Sequence, residues 1–164
     1  FYLLHGVRLR IIVLIMKNQQ LPKMVNIFSD GGSRGNPGPA AYGFVAYDEE
    51  NNKLFDGSQY LEITTNNQAE YRGVLGALQY IYNIIKDNKQ ESLNKINIFL
   101  DSKLIVEQMN GNYKIKNEGL KPLYWQIKDI ISSLVIDVKF FHVPREKNKE
   151  ADKLVNEELD RHNN

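Results

Sequence analysis

The sequence contains no cysteine, and its charges are almost balanced, with 21 lysine and arginine residues against 20 acidic ones. Without cysteine the chain has no disulfide bond and no thiolate ligand for a metal ion. This absence fits a reducing compartment, and we expect a cytoplasmic location. The net charge of +1 produces no global field that would attract nucleic acid, so any such binding must come from a local patch.

A long hydrophobic run is also absent, including from the basic, acid-free N-terminal segment, residues 1–23. Its apolar run, residues 11–16, is far shorter than the roughly 20 residues of a membrane helix. No small-residue cleavage site follows, so neither a signal peptide nor a membrane partner is expected. We expect residues 1–23 to be an extension outside the domain, with organelle targeting as the alternative. The domain then covers residues 24–160, and residues 161–164 form a tail.

The rest of the chain alternates between the two-residue hydrophobic period of strands and the 3.6-residue period of helices. With 164 residues, of which 42% are hydrophobic, the chain is long enough for one well-buried core. The strands are predicted at residues 24–29, 41–47, 53–61, 95–100 and 136–143. The helices are predicted from residue 67 onward and at residues 102–109, 120–134 and 149–159. The order βββαβααβα predicts an α/β domain.

The first predicted strand ends at Asp30, and a glycine-rich loop follows at once. Gly31 and Gly32 let the backbone approach a ligand closely and leave N–H groups free for phosphate or sugar oxygens. In α/β sheets, ligands bind beyond the carboxyl ends of the strands. A tight surface turn with an incidental aspartate is the alternative interpretation of this segment alone.

Three further acids occupy comparable places: Asp101 follows the fourth strand, Glu70 opens the long helix, and Asp152 lies near the start of the last helix. Each has a structural explanation of its own. Asn67 and Glu70 have the spacing of a capping box, Asp101 could cap the next helix, and Asp152 could complement a helix dipole. If the first and fourth strands are parallel neighbours, however, Asp30 and Asp101 lie side by side, and the two helices bring the other acids over them.

Four carboxylates in one pocket repel one another, since like charges about 4 Å apart cost about 4 kcal/mol at an effective dielectric constant near 20. Such a cluster persists only with cations. Oxygen ligands without histidine or cysteine suit Mg²⁺, for which Mn²⁺ is expected to substitute. Two such ions about 3.5–4 Å apart can clamp the attacking and leaving oxygens of a phosphodiester.

The segments that carry these acids are DGGSRGNPG, TNNQAEYRGVLGAL, FLDSKLIVEQMNG and HVPREKNKEADKLVN. In this order they resemble type 1 ribonuclease H over residues 25–156. The resemblance implies a ribonuclease H-like α/β fold, with a mixed five-stranded sheet of order 3-2-1-4-5 flanked by helices. It also implies endonucleolytic cleavage of the RNA strand of an RNA–DNA hybrid duplex by two metal ions, leaving 5′-phosphate and 3′-hydroxyl ends.

The resemblance assigns roles to particular positions. The catalytic, metal-binding acids of the family match Asp30, Glu70, Asp101 and Asp152. The positions that match its substrate contacts are Gly31, Gly32, Asn36, Thr65, Asn66 and Gln68. Amide side chains and backbone N–H groups can read the 2′-hydroxyl that distinguishes RNA from DNA. Helix capping is the alternative role for Thr65 and Asn66, and the two roles can coexist.

The sequence departs from the familiar bacterial pattern in two places. Residues 111–121 are too few for the basic, tryptophan-containing helix that many members insert, so the chain resembles the compact form; Lys114, Lys116 and Lys121 could replace that helix in part. Trp125 is expected in the core. The loop before Asp152 has Arg145 and Lys147 where many members carry a mobile histidine.

The segment does contain one histidine, His142, and it is expected to be packed and not catalytic. Strand alternation places it on the face of Ile136, Val138 and Phe140. The chain is expected to be a monomer whose partner is the hybrid duplex. A catalytically inactive nucleic-acid-binding module on the same fold is the alternative function, although such a module would normally have lost an acid. A transferase or exonuclease of the wider superfamily would lack these segments.

Overall fold

The computed structural model describes residues 2–4, 7–11, 21–88 and 92–162. Its strands are β1 (Tyr2–Leu4), β2 (Val7–Ile11), β3 (Met24–Ser33), β4 (Gly38–Tyr47), β5 (Lys53–Thr64), β6 (Lys95–Leu100) and β7 (Asp137–His142). Its helices are α1 (Asn66–Asn88), α2 (Lys103–Met109), α3 (Lys121–Leu134) and α4 (Lys149–His162). Within the described ranges, no helix combines the length and the hydropathy needed to cross a bilayer.

The strands form one mixed sheet of order β1-β2-β5-β4-β3-β6-β7. The five strands from β3 to β7 follow the predicted order, with an antiparallel meander of β3, β4 and β5 and parallel pairing of β3 with β6 and of β6 with β7. The α/β fold class is therefore confirmed. Within the described part of the chain the sheet has seven strands and not five, because two strands come from the N-terminal segment.

The expectation that the N-terminal segment lies outside the domain is wrong for residues 7–11. β2 pairs antiparallel with β5, with Arg8 opposite Ser58 and Ile11 opposite Phe55. Without β2, β5 would be an edge strand with a row of unpaired N–H and C=O groups, and pairing satisfies them. At the other end α4 continues to His162, into the predicted tail. The parts of these predictions that concern residues 1, 5, 6, 12–20, 163 and 164 lie outside the described residues.

Helices cover the two faces of the sheet differently. The main core lies between the sheet and α1, α2 and α3, whereas α4 packs on the opposite face over β3, β4 and β5. Two glycines permit these close approaches. A Cβ atom on Gly31 would lie 2.2 Å from the backbone of Ala69 in α1, and one on Gly43 would lie 2.6 Å from the Leu154 side chain of α4.

Candidate active site

Three of the predicted acids meet where the central parallel strands end. Asp30, Glu70 and Asp101 each offer one carboxylate oxygen, and these oxygens all lie within 4.8 Å of one another. Because Phe28 of β3 pairs with Phe99 of β6, the acids two residues further along both strands are neighbours. Glu70 reaches them from the second turn of α1, which lies against β3.

The strand bounds change the position of Asp30. β3 continues four residues beyond its predicted end, to Ser33, because Gly31 to Ser33 remain paired with β4. Asp30 therefore lies within the strand and not after it. Its place in a paired strand fixes its backbone more firmly than a loop would.

The capping alternatives for Glu70 and Asp101 are not what the structure shows. The side chain of Thr65 accepts the Gln68 N–H bond at 3.2 Å at the start of α1. The side chain of Ser102, not Asp101, caps α2 by accepting the Ile105 N–H bond at 3.5 Å. Both acids are therefore free for another role.

Burial is the main cause that raises the pKa of Asp30 to about 7 and that of Glu70 to about 8. Negative charge on Asp101 raises the pKa of both groups further. The Gly31 N–H group donates a hydrogen bond to Asp30 Oδ1, with 2.8 Å between N and O, and this bond lowers the pKa of Asp30. A hydrogen bond from Ser102 likewise lowers the pKa of Glu70. The cluster therefore favours a bound proton or a cation near neutral pH.

The donor set fits a divalent cation. The candidate ligands are three carboxylates, which are the hard oxygen donors that Mg²⁺ and Mn²⁺ prefer. Glu70 Oε2 is buried and has no hydrogen-bond partner among the described residues. A buried, unpaired carboxylate oxygen is costly, and a cation would satisfy it.

The fourth acid, Asp152, lines the same pocket but is not one of the three clustered acids. Its Oδ1 lies 3.3 Å from Nη2 of Arg145, whose own pKa is raised by this contact. Asn148 positions the helix that carries it, because its Nδ2 donates to the Ser29 carbonyl at 2.9 Å and its carbonyl accepts the Asp152 N–H bond at 3.1 Å. A metal-binding role for Asp152 stays a prediction.

The pocket around these acids has a volume of about 360 Å³ and is also lined by Gly31, Gly32, Arg34 and Asn66. Asn36 and Asn66 both hold the glycine-rich loop on α1. Asn66 Oδ1 accepts the Ser33 N–H bond at 2.8 Å, and Asn36 Oδ1 accepts the Asn66 N–H bond at 3.1 Å. These contacts use the amide oxygens, so each Nδ2 group can still donate to a substrate.

Gln68 is tied to the residues that precede α1. Its Oε1 accepts hydrogen bonds from the Thr64 hydroxyl and from the Thr65 hydroxyl at 3.3 Å. Hydrogen bonds within the protein thus already use the amide oxygen of each of these predicted substrate-binding side chains. The substrate-binding roles of Asn36, Thr65, Asn66 and Gln68 stay predictions.

Two expectations about aromatic side chains are wrong. His142 is exposed, because it is the last residue of the edge strand β7 and the packing that covers Phe140 does not extend to it. Trp125 is 61% exposed, since the buried face of α3 is formed by Leu123, Ile127 and Leu134. The sequence did contain a signal for the exposure of His142, because a polar residue at the end of a strand often lies at the surface.

The raised pKa values predict how pH changes the stability of the metal-free protein. Asp30 and Glu70 bind protons more tightly in the folded protein than at their ordinary pKa values of 3.8 and 4.5. The folded state therefore holds more protons across this window, and its free energy of unfolding falls as pH rises from about 5 to about 8. One pKa unit corresponds to about 1.4 kcal/mol, and we expect a loss of at least about 2 kcal/mol.

Denaturant melts in excess chelator, at several pH values, measure this change. Adding a divalent cation should flatten the curve, because the bound ion replaces the protons. A free energy of unfolding that stays constant or rises with pH over this window would contradict the assignment of these two groups.

A parallel pair of strands that ends in clustered carboxylates, within a mixed sheet covered by helices, defines a ribonuclease H-like protein. Comparison with known proteins agrees. The family model described as "Reverse transcriptase-like" matches residues 28–158. The chain is 42% identical to LC11-RNase H1, solved in complex with an RNA/DNA hybrid, with a TM-score of 0.78 over 84% of this chain and 97% of that one.

Two curated relatives extend the comparison. Ribonuclease H of Nitrosomonas eutropha is 32% identical over 154 residues, covering 82% of this chain and 89% of that protein. "Bifunctional protein Rv2228c" of Mycobacterium tuberculosis is 39% identical over 137 residues, or 83% of this chain. The chain spans only 35% of the length of that relative, and the same share of two further mycobacterial relatives. The chain belongs to the type 1 ribonuclease H family, in its compact form.

Proposed function

We propose that this chain is an endoribonuclease that hydrolyses the RNA strand of RNA–DNA hybrids. The observation that carries the proposal is the cluster of Asp30, Glu70 and Asp101 within 4.8 Å at the ends of the parallel strands. Membership of the family and the similarity to LC11-RNase H1, which is solved with a hybrid, support it. The products would carry 5′-phosphate and 3′-hydroxyl ends.

Asp30, Glu70, Asp101 and Asp152 would hold two Mg²⁺ ions when substrate is bound, and Mn²⁺ would substitute. The ions would supply Lewis-acid stabilisation of the phosphodiester oxygens and a nucleophilic water at neutral pH. The residues of the chain keep the acids in place: the Gly31 N–H bond orients Asp30, Ser102 orients Glu70, and Asn148 anchors the helix of Asp152. Arg145 offsets part of the negative charge of the pocket.

A second surface would hold the hybrid next to these acids. An open groove of about 560 Å³ lies between α1, α2 and the loop before α3, lined by Tyr113, Lys114 and Lys116. Exposed lysines beside an aromatic ring suit a phosphate backbone. Lys121, the third predicted member of this patch, is paired with Glu118 at 2.5 Å. We propose that the protein performs this function as a monomer in the cytoplasm.

A cleavage assay with labelled RNA–DNA, RNA–RNA and DNA–DNA duplexes tests the proposal. With Mg²⁺ or Mn²⁺, the RNA strand of the hybrid should be cut, and excess chelator should stop the reaction. Hybrid binding without cleavage under both metals would favour the inactive binding module. Equal turnover in chelator would refute the metal-dependent mechanism.

A further inference from the structure

Three phenylalanines form a continuous stack across the face of the sheet that the main core does not use. Phe28 of β3, Phe99 of β6 and Phe141 of β7 are direct partners in the parallel register. The ring centroids of Phe28 and Phe99 are 4.8 Å apart with an 18° angle between planes, and those of Phe99 and Phe141 are 5.4 Å apart at 24°. The rings therefore stand upright on neighbouring strands, face against face.

The two ends of this aromatic stack differ. At the inner end, Tyr47 packs edge-on against Phe28, with 5.9 Å between centroids and an 85° angle. At the outer end, Phe141 lies on the edge strand of the sheet and is 40% exposed. Among the described residues, no further ring packs on its outer side. The stack thus ends on a phenyl face that is open to solvent.

The open end lies close to the candidate active site. Phe28 and Phe99 each precede a clustered acid by two residues, so they lie about 7 Å further back along the same strands. From Phe141 the chain runs through the exposed residue Pro144 to Arg145, which lines the acidic pocket. Lys139, on the same face of β7 as Phe141, is also exposed. A lysine therefore shares the face of the open ring, and an arginine follows that ring by four residues along the chain.

We propose that the open face of Phe141 binds an unpaired nucleobase of a single strand that continues from the hybrid, with Lys139 and Arg145 contacting its phosphates. This deepens the proposed function and rests on it. A base would extend the stack as a fourth ring. Stacking on an aromatic side chain tolerates any base, because every base has a π face, and it needs no hydrogen-bond readout.

The same edge is poorly suited to a second copy of the chain. β7 carries Lys139 near its middle, and a lysine on an edge strand disfavours pairing with another strand. The lysine lies 3.6 Å from Asp137, and both side chains are 55% exposed, so its ammonium group remains accessible to a phosphate. Charge complementarity therefore favours nucleic acid at this position.

The test compares cleavage of a blunt RNA–DNA hybrid with that of the same hybrid carrying an oligouridine or oligothymidine extension on either strand. For the wild type, at least one extension should lower KM by about fivefold or more, the effect of stacking one base. Phe141→Leu keeps the apolar contact with Phe99 but removes the π face, and it should lose this gain without changing cleavage of the blunt hybrid. Phe141→Trp should keep the gain.

Trp125→Ala removes an even more exposed ring from α3 and should keep the gain. Absence of any gain in the wild type, or its persistence in Phe141→Leu, would overturn the proposal. A dimer in sedimentation analysis that Phe141→Leu dissociates would assign the surface to a second copy instead. Binding of the labelled oligothymidine alone, measured by anisotropy, keeps this result separate from hybrid cleavage: weaker binding by Phe141→Leu supports the site even if no hybrid is cut.

Discussion

Glu70→Gln is expected to abolish hybrid cleavage and, without metal ions at about pH 9, to raise the free energy of unfolding by about 2 kcal/mol or more. The substitution keeps the shape of the side chain but removes one of three carboxylates that lie within 4.8 Å of one another. At this pH the buried group, with a pKa of about 8, is charged in the wild type, so its removal relieves both burial of charge and repulsion. Asp30→Asn and Asp101→Asn should behave alike in activity.

Steady-state cleavage and denaturant melts in chelator measure the two effects. Asp129→Asn, an exposed acid on α3, is the matched control and should change neither. A Glu70→Gln protein that retains turnover would refute a ligand role for Glu70. One that is less stable than the wild type in chelator would show that its hydrogen bond with Ser102 outweighs the repulsion.

Gly31→Ala is expected to lower the free energy of unfolding by more than about 3 kcal/mol and to eliminate activity. The new Cβ atom would lie 2.2 Å from the Ala69 carbonyl carbon and 2.3 Å from the Glu70 nitrogen. Both are backbone atoms of α1 and cannot rotate away, so the helix must move off β3. That movement would separate Glu70 from Asp30.

The adjacent glycine provides the control. A Cβ atom on Gly32 would meet only Val155 Cγ1, at 3.7 Å, which is an ordinary contact. Gly32→Ala should therefore stay within about 1 kcal/mol of the wild type in a urea melt. Equal losses for both variants would mean that the strand, and not the approach of α1, determines the cost.

Sequence periodicity predicted the central sheet because each strand from β3 to β7 is long enough to show a clear pattern. The clustering of Asp30 and Asp101 could be predicted since both follow apolar runs of residues that a parallel strand register brings level. The role of Ser102 could not, because a helix cap and a contact with Glu70 have the same sequence signal. Only the relative position of α1 and α2 distinguishes them.

The error at residues 7–11 has a physical origin. The segment VRLRI alternates apolar and basic residues, as a strand with one covered face does, but its basic, acid-free surroundings suggested a leader. Its strand state depends on a distant partner, β5, that local sequence does not reveal. His142 shows the complementary limit: alternation gives the face of a residue but not how far the packing on that face extends.

The three clustered acids come from segments that are distant in sequence, at residues 30, 70 and 101. An unfolded chain cannot assemble this site, so a cation that binds it stabilises the folded arrangement of β3, α1 and β6. By mass action, an ion at a hundred times its dissociation constant would add about 2.7 kcal/mol to the stability of the protein. A divalent cation would then act as a folding ligand as well as a cofactor. Its supply would set the fraction of molecules exposed to proteolysis, even when no substrate is present.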